Sequence, residues 1–203
     1  MSFDVRAGTW DASDRRQALA EAVAQAIRER FDLESSMHLL DIGAGTGLLT
    51  RRLLPFVGKM SAVDTSAGML ERLRENLADS DDRVTIYHTD IVGFDNPEPF
   101  DGIVSSMTIH HIEDTKMLFE KLHAMLKPGG FIALADLAPE DGTFHDHGNE
   151  GVFHFGFEEA SLKKIAEDAG FESLAYRIVH TVDKGAKGTY DIFLLTATKP
   201  PLR

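Results

Sequence analysis

His38-Leu39-Leu40-Asp41-Ile42-Gly43-Ala44-Gly45-Thr46-Gly47-Leu48 is a short apolar run that stops at a glycine and continues with a glycine at every second position. Its first five residues read as a buried strand, and 48–56 returns to helical composition until Pro55 and Gly58 break it. Strand, glycine turn and helix follow one another directly. A helix precedes this stretch, and strands and helices go on alternating after it. Upstream, 11–31 carries Leu19, Val23, Ala26 and Ile27 at helical spacing, behind Asp11 and Ser13 as caps. Downstream, strands are expected at 59–64, 84–88, 102–106 and 131–136, and helices at 67–78 and 115–126, the latter ended by Lys127-Pro128-Gly129-Gly130. A long loop precedes a helix over 158–169, and strands at 171–180 and 190–198 close the chain, with Gly185 and Gly188 between them.

Strands that alternate with helices require crossover connections, which specifies an α/β, doubly wound, mostly parallel seven-stranded sheet. The last strand departs from that pattern. A connection as short as 183–189 joins only antiparallel neighbours, and Ile192-Phe193-Leu194-Leu195 is apolar on both faces, so this antiparallel strand is expected inside the sheet.

A chain of 203 residues has room for one domain with a substantial core, and no linker, repeat or low-complexity tract divides it. One domain over 1–203 is expected, with 1–31 as an N-terminal arm and helix and 137–157 as a loop long enough to suggest a function of its own. Hydrophobic residues make up 43% and charged residues 27%, a globular rather than a disordered composition. No apolar run approaches the roughly 18–20 residues that span a bilayer, and residues 1–10 lack a signal-peptide profile, so the chain reads as cytoplasmic. The absence of cysteine removes disulfides, thiolate metal sites and a cysteine nucleophile. A net charge of −12 repels polyanions and argues against nucleic acid and anionic membranes as partners.

In a doubly wound sheet, ligands bind beyond the carboxyl ends of the strands where the strand order reverses, here the turn after the first strand. Gly43, Gly45 and Gly47 leave no Cβ between backbone and ligand, so a nucleoside-bearing molecule can lie against the main chain. A dinucleotide fingerprint counted from Gly43 would need a glycine where Leu48 stands. Asp64, ending the second strand in Ala62-Val63-Asp64-Thr65-Ser66, has the acceptors for two ribose hydroxyls and would suit NAD equally.

The G-x-G-x-G spacing after acidic Asp41 resembles motif I of class I SAM-dependent methyltransferases, and the resemblance extends from about Met37 to Asp136 and more loosely to the C-terminal hairpin. It implies S-adenosylmethionine (SAM) as cofactor and S-adenosylhomocysteine as product. It places Asp41, Gly43, Ala44, Gly45 and Gly47 at the amino-acid end of SAM, and Asp64 with Thr65 and Ser66 at the ribose. Asp90 and Ile91 fall at the adenine position, with Met69 beside the base. Ser106 and the following Met107-Thr108-Ile109-His110-His111-Ile112 fall at the methionyl portion and the substrate side. Two of these residues have local alternatives: Asp90 as a turn residue and Met69 as a core-facing helix position.

Methyl transfer from a sulfonium is an in-line displacement with an activated leaving group, so aligning nucleophile, methyl and sulfur is the main task and a base is optional. Where the acceptor is a hydroxyl or a protonated amine, a histidine suits the proton. His111 and His154 are the catalytic candidates, with His110 behind them; a helix cap or a core position is the alternative for His110 and His111. The loop over 137–157 lies where the resembled family commonly covers its substrate, and its phenylalanines suit an apolar pocket wall. His145, Asp146, His147 and His154 are metal-ligand types, yet no metal is assigned, because a loop carries such residues without converging them and methyl transfer needs none. Trp10 marks the arm as packed, either as a lid over the cofactor or simply against the domain. The reading is methyl transfer from SAM to a small-molecule acceptor, with no nucleic acid or membrane partner and the oligomeric state open. Two alternatives stand beside it: a noncatalytic SAM-binding subunit or sensor, and a nicotinamide-dependent oxidoreductase disfavoured by Leu48 and the reversed strand.

Overall fold

The computed structural model describes residues 3–95, 98–146 and 148–202. Strands β1 (His38–Ile42), β2 (Lys59–Asp64), β3 (Val84–His88), β4 (Phe100–Ser106), β5 (Leu126–Leu137), β6 (Glu172–Asp183) and β7 (Thr189–Thr198) form one sheet in the order β3-β2-β1-β4-β5-β7-β6. β1 to β5 run parallel, and β7 lies antiparallel between β5 and β6. This is the expected doubly wound sheet with its reversed strand inside. The chain steps outward from β1 to β3 and then returns to the other side of β1, which opens a crevice beyond the carboxyl ends of β1 and β4.

Two-residue alternation sorts the side chains between two cores. Leu39 of β1 joins the cluster under α2 (Asp14–Arg30), α3 (Leu48–Leu53) and α4 (Ala67–Asn76). Leu40 joins the opposite cluster under α5 (Thr115–Met125) and α6 (Glu159–Asp168). Val104 and Ile103 of β4 divide in the same way, as do Ala133 and Ile132 of β5. Central strands covered on both faces are therefore apolar throughout, whereas the edge strands β3 and β6 are half exposed. β5 starts earlier than the sequence pattern suggests. Lys127-Pro128-Gly129-Gly130 belongs to it, because Gly129 N donates to Lys199 O and Lys199 N to Gly130 O.

The Leu19, Val23 and Ile27 stripe is buried on α2, but that helix starts at Asp14 rather than Asp11. The residues before it form a separate helix, α1 (Phe3–Trp10), where the sequence pattern shows only an arm. Gly8 and Thr9 are poor helix formers, so α1 depends on packing against α4. Asp4 Oδ1 accepts from Ser66 Oγ at 2.6 Å and from Gly68 N at 2.9 Å. Gly68 permits the approach, since a Cβ there would lie 2.9 Å from Asp4 Cα. Asp11 is not a helix cap. It accepts from Thr46 Oγ1 at 2.5 Å and from Asn76 Nδ2 at 2.7 Å, which ties the segment to the glycine turn.

After Leu137, which ends β5, the long loop has no helix or strand among its described residues, yet it is tied down. Ala138 N donates to Asp191 O and Phe157 N to Leu137 O, closing its two ends. Glu140 Oε2 gathers the N–H groups of Gly142, Thr143 and Phe144. Among the described residues no helix is long and apolar enough to cross a membrane.

Gly102 of β4 is where the centre of the sheet is tightest. An added Cβ would lie 2.4 Å from Phe131 Cζ and 2.8 Å from Leu39 Cδ2, and Phe131 is itself stacked on Phe31 with centroids 3.9 Å apart. Gly102→Ala is expected to lower stability by about 1–3 kcal/mol, the usual cost of overpacking, read from urea unfolding. An unchanged midpoint would show that Phe131 moves aside freely.

Candidate active site

The crevice deepens into a cavity of about 440 Å³, a size common for small-molecule sites. Its floor is the glycine turn. Gly43, Gly45 and Gly47 have φ of 64°, 55° and 82°, left-handed backbone that glycine adopts without a Cβ penalty. Gly43 is constrained further, because a Cβ would come within 2.1 Å of Thr108 Oγ1. The turns after β1 and β4 can meet only with no side chain between them. Gly47 precedes α3 and packs towards Leu73, leaving the cavity surface to Gly43, Ala44 and Gly45.

Asp64 joins two turns. Its Oδ2 accepts from Gly45 N and its Oδ1 from Ser66 N, each at 2.8 Å, and each oxygen keeps a second lone pair for a ligand. Burial raises its pKa above the ordinary value, against the N–H groups that lower it. Asp41 is enclosed, and its Oδ2 accepts from Thr50 Oγ1 at 2.6 Å. Burial pushes Asp41 up to about 7, with the Thr50 bond opposing and the Asp64 charge adding to the shift. Thr65, Met69, Asp90 and Ile91 line the same end of the cavity. Met69 and Ile91 are buried, whereas Asp90 is exposed and its Oδ1 accepts from Gly93 N at 2.6 Å. Ser66 does not face the cavity: its Oγ caps α4 by accepting from Met69 N and donates to Asp4.

At the other end, Ser106 lines the cavity and Met107 turns the chain at φ 60° into the short helical turn Ile109–His111. His110 is 2% exposed, and its Nδ1 lies 2.7 Å from Oδ1 of the fully buried Asp136 at the end of β5. His111 Nδ1 lies 2.7 Å from Gly151 O. His145 turns inward from the long loop, its Nε2 3.2 Å from His110 Nε2. Burial, with the neighbouring His110 and His111, pushes His145 down to about 4. All three histidines line the cavity. His154 does not: its Nε2 faces the carbonyls of Ile112 and Glu113 at 3.0 and 3.3 Å, holding the loop against the turn after β4. Asp146 is held by Lys187 and Lys184 at 2.7 and 2.9 Å, bonds that keep it well below the usual carboxylate range. His147 lies outside the described residues.

Several lining residues carry no sequence signal. Arg15, Arg16 and Leu19 of α2, and Val182 and Lys184 at the end of β6, complete the wall together with Trp10. Arg16 stacks over Trp10 at 3.8 Å, and Arg15 Nη1 donates at 3.1 Å to Asp183 O, 168 positions away. Only the lone tryptophan hinted that the N-terminal segment reaches the site.

Residues 12–176 match the family model described as a methyltransferase domain. An uncharacterised methyltransferase of Schizosaccharomyces pombe is 31% identical over 159 residues, covering 70% of this chain and 56% of that protein. The malonyl-[acyl-carrier protein] O-methyltransferase of Priestia megaterium is 29% identical over 147 residues, covering 71% of this chain and 52% of that protein. The match thus spans about half the length of these relatives. Among solved structures, phosphoethanolamine N-methyltransferase 2 of Haemonchus contortus, in complex with SAM, shares the fold with a TM-score of 0.73 at 21% identity, covering 98% of this chain and 60% of that one.

The raised pKa of Asp41 has a signature in stability. Between the ordinary aspartate value of 3.8 and about 7 the folded chain holds a proton that the unfolded chain has released. Its contribution is therefore full below about pH 4 and is lost as the pH rises through about 7. Asp41→Asn keeps an acceptor for Thr50 and removes the titration. The melting temperature of the variant is expected to gain on that of the parent between about pH 5 and about pH 8. Parallel curves would place Asp41 in the ordinary range.

Proposed function

Because the chain belongs to the family of methyltransferase domains, we propose that it transfers the methyl group of SAM to a small-molecule acceptor by in-line displacement. The observation that carries this reading is the 2.8 Å bond from Gly45 N to Asp64 Oδ2. It sets a bare backbone turn and a carboxylate with spare lone pairs against a single ligand. In this reading the ribose hydroxyls of SAM donate to Asp64, and the adenine lies by Met69 and Ile91 with its amine at Asp90. Thr65 lines the ribose turn, while Ser66 and Gly47 act from behind, as the residues that start α4 and α3. The methionyl portion follows Asp41, Gly43, Ala44 and Gly45 towards Ser106. A cationic cofactor beside Asp41 favours its ionised form.

The methyl group then faces the end lined by His110, His111, Phe144 and Val182. Since the leaving sulfur is already positively charged, the protein's work is alignment and exclusion of water. Trp10 and Phe144 bring the N-terminal segment and the long loop to the cavity for the second task. His111 is placed to take a proton from a hydroxyl or ammonium acceptor, and His154 is left to hold the loop. The apolar walls of Leu19, Phe144 and Val182 suit a small, partly apolar acceptor, and the net charge of −12 disfavours nucleic acid.

Calorimetric titration with SAM, S-adenosylhomocysteine and NAD tests the reading. SAM and its product are expected to bind, and NAD is not. Asp64→Asn, which keeps the shape but not the charge, is expected to weaken binding about 10- to 100-fold, the worth of hydrogen bonds to a charged acceptor. Binding of NAD without SAM would overturn the assignment. Tight SAM binding with no methyl transfer across a broad acceptor screen would favour a noncatalytic SAM-binding subunit instead.

A further inference from the structure

Three imidazoles from separate parts of the chain meet at the acceptor end of the cavity, and their hydrogen bonds determine which nitrogen of each ring bears a proton. Asp136 already accepts two backbone N–H groups, from Leu137 at Oδ1 and from His110 at Oδ2. As a carboxylate it takes the Nδ1 proton of His110 as a third, at 2.7 Å. The Nε2 of neutral His110 therefore carries a lone pair. His111 Nδ1 faces the carbonyl of Gly151, which can only accept, so His111 also donates from Nδ1 and bears its lone pair on Nε2. A carboxylate or a carbonyl behind the far nitrogen is the arrangement that orients metal-bound histidines.

His145 completes the group. Its Nε2 lies 3.2 Å from His110 Nε2, and its Nδ1 is buried with no hydrogen-bond partner among the described residues. Hydrogen bonding to protein thus holds this ring through His110 alone and does not explain why it turns inward. A shared cation would. One nitrogen from each of the three rings lies within 4.8 Å of the others. Metal–nitrogen bonds of about 2.0–2.1 Å put tetrahedral ligands about 3.4 Å apart. The pair at 3.2 Å already matches that spacing, and the nitrogen offered by His111 lies no more than 4.8 Å from both.

We propose that His110, His111 and His145 bind one divalent transition-metal ion of the zinc class, with a fourth position open to the cavity. Three neutral imidazoles with no carboxylate in the ligand set select Zn²⁺, Co²⁺, Ni²⁺ or Cu²⁺ over Mg²⁺ and Ca²⁺. Three protein ligands and one open position is the pattern of a reactive zinc site rather than a closed structural one. Water fills the fourth position in the resting protein, and an acceptor's oxygen or sulfur displaces it. With the ion bound, the Nε2 lone pair of His111 is committed to it, and the ion replaces His111 as the group that activates the acceptor; only the identity of that last ligand rests on the methyl-transfer reading.

The test is titration of the full, tag-free and metal-stripped chain with Co²⁺. One equivalent per chain is expected to produce the intense visible bands of low-coordinate Co²⁺, and Zn²⁺ is expected to bleach them. His145→Gln is expected to abolish the bands, with His111→Gln as the second ligand variant. Asp136→Asn, acting through His110, is expected to weaken Co²⁺ binding roughly 10- to 100-fold. Binding of S-adenosylhomocysteine, measured on the same samples, is expected to persist in His145→Gln, which shows that variant to be folded. A spectrum that stays that of the aqua ion, or a His145→Gln chain that binds Co²⁺ as the parent does, overturns the metal site. Loss of S-adenosylhomocysteine binding in the parent with the Co²⁺ bands intact overturns the methyl-transfer reading and leaves the metal site standing.

Discussion

Asp64 accepts one N–H from each of two crossovers, Gly45 on the first and Ser66 on the second. Those bonds set the spacing of the two turns that border the cavity, and other acidic side chains extend the arrangement outward. Asp4 holds Ser66 and Gly68, and Asp11 holds Thr46 and Asn76, so the N-terminal segment is fastened to the same pair of turns that Asp64 joins. Hydrogen bonds to a carboxylate are stronger than those between neutral groups. Part of the acidic excess thus has a local structural use that composition alone does not reveal. Losing the Asp64 carboxylate would strip two backbone donors of their partners at once.

The parts of the fold legible in the sequence are those that local backbone chemistry dictates. The reversed β7 could be read because 183–189 is too short for a crossover and Ile192-Phe193-Leu194-Leu195 is too apolar for an edge. The glycine turn could be read because left-handed backbone and the Thr108 contact both exclude a side chain at Gly43. What escaped depends on contacts between distant residues. α1 is held by bonds from Asp4 to residues 62 and 64 positions away, and nothing within Phe3–Trp10 announces them. His145 and His154 share one loop and one residue type, yet only the first faces the cavity. The loop's path decides between them, through positive φ at Gly142, Gly148, Gly151 and Gly156. His110 and His111 look alike in the sequence. Their difference comes from partners 26 and 40 positions away, Asp136 and Gly151.

The cavity therefore has two chemically distinct ends joined by the Gly43–Thr108 contact. One end carries Asp41, Asp64 and Asp90, acceptors suited to the hydroxyls, amine and positive charge of the proposed cofactor. The other carries imidazoles, with Arg15 and Lys184 nearby and apolar walls between them. A cofactor lying along the glycine turn would present its reactive carbon from the first end to whatever the second end holds. The fold supports this division directly. β1, β2 and the turn after β3 supply the acids, while α2, the turn after β4, the end of β6 and the long loop supply the rest.

A crystal structure grown in the presence of S-adenosylhomocysteine tests the central claim most directly. The account predicts the ribose hydroxyls on Asp64, the homocysteine portion along Gly43 to Gly45, and the sulfur directed at the end that carries His110, His111 and His145. Density for the nucleoside elsewhere, or a ligand whose sulfur points away from that end, would contradict it.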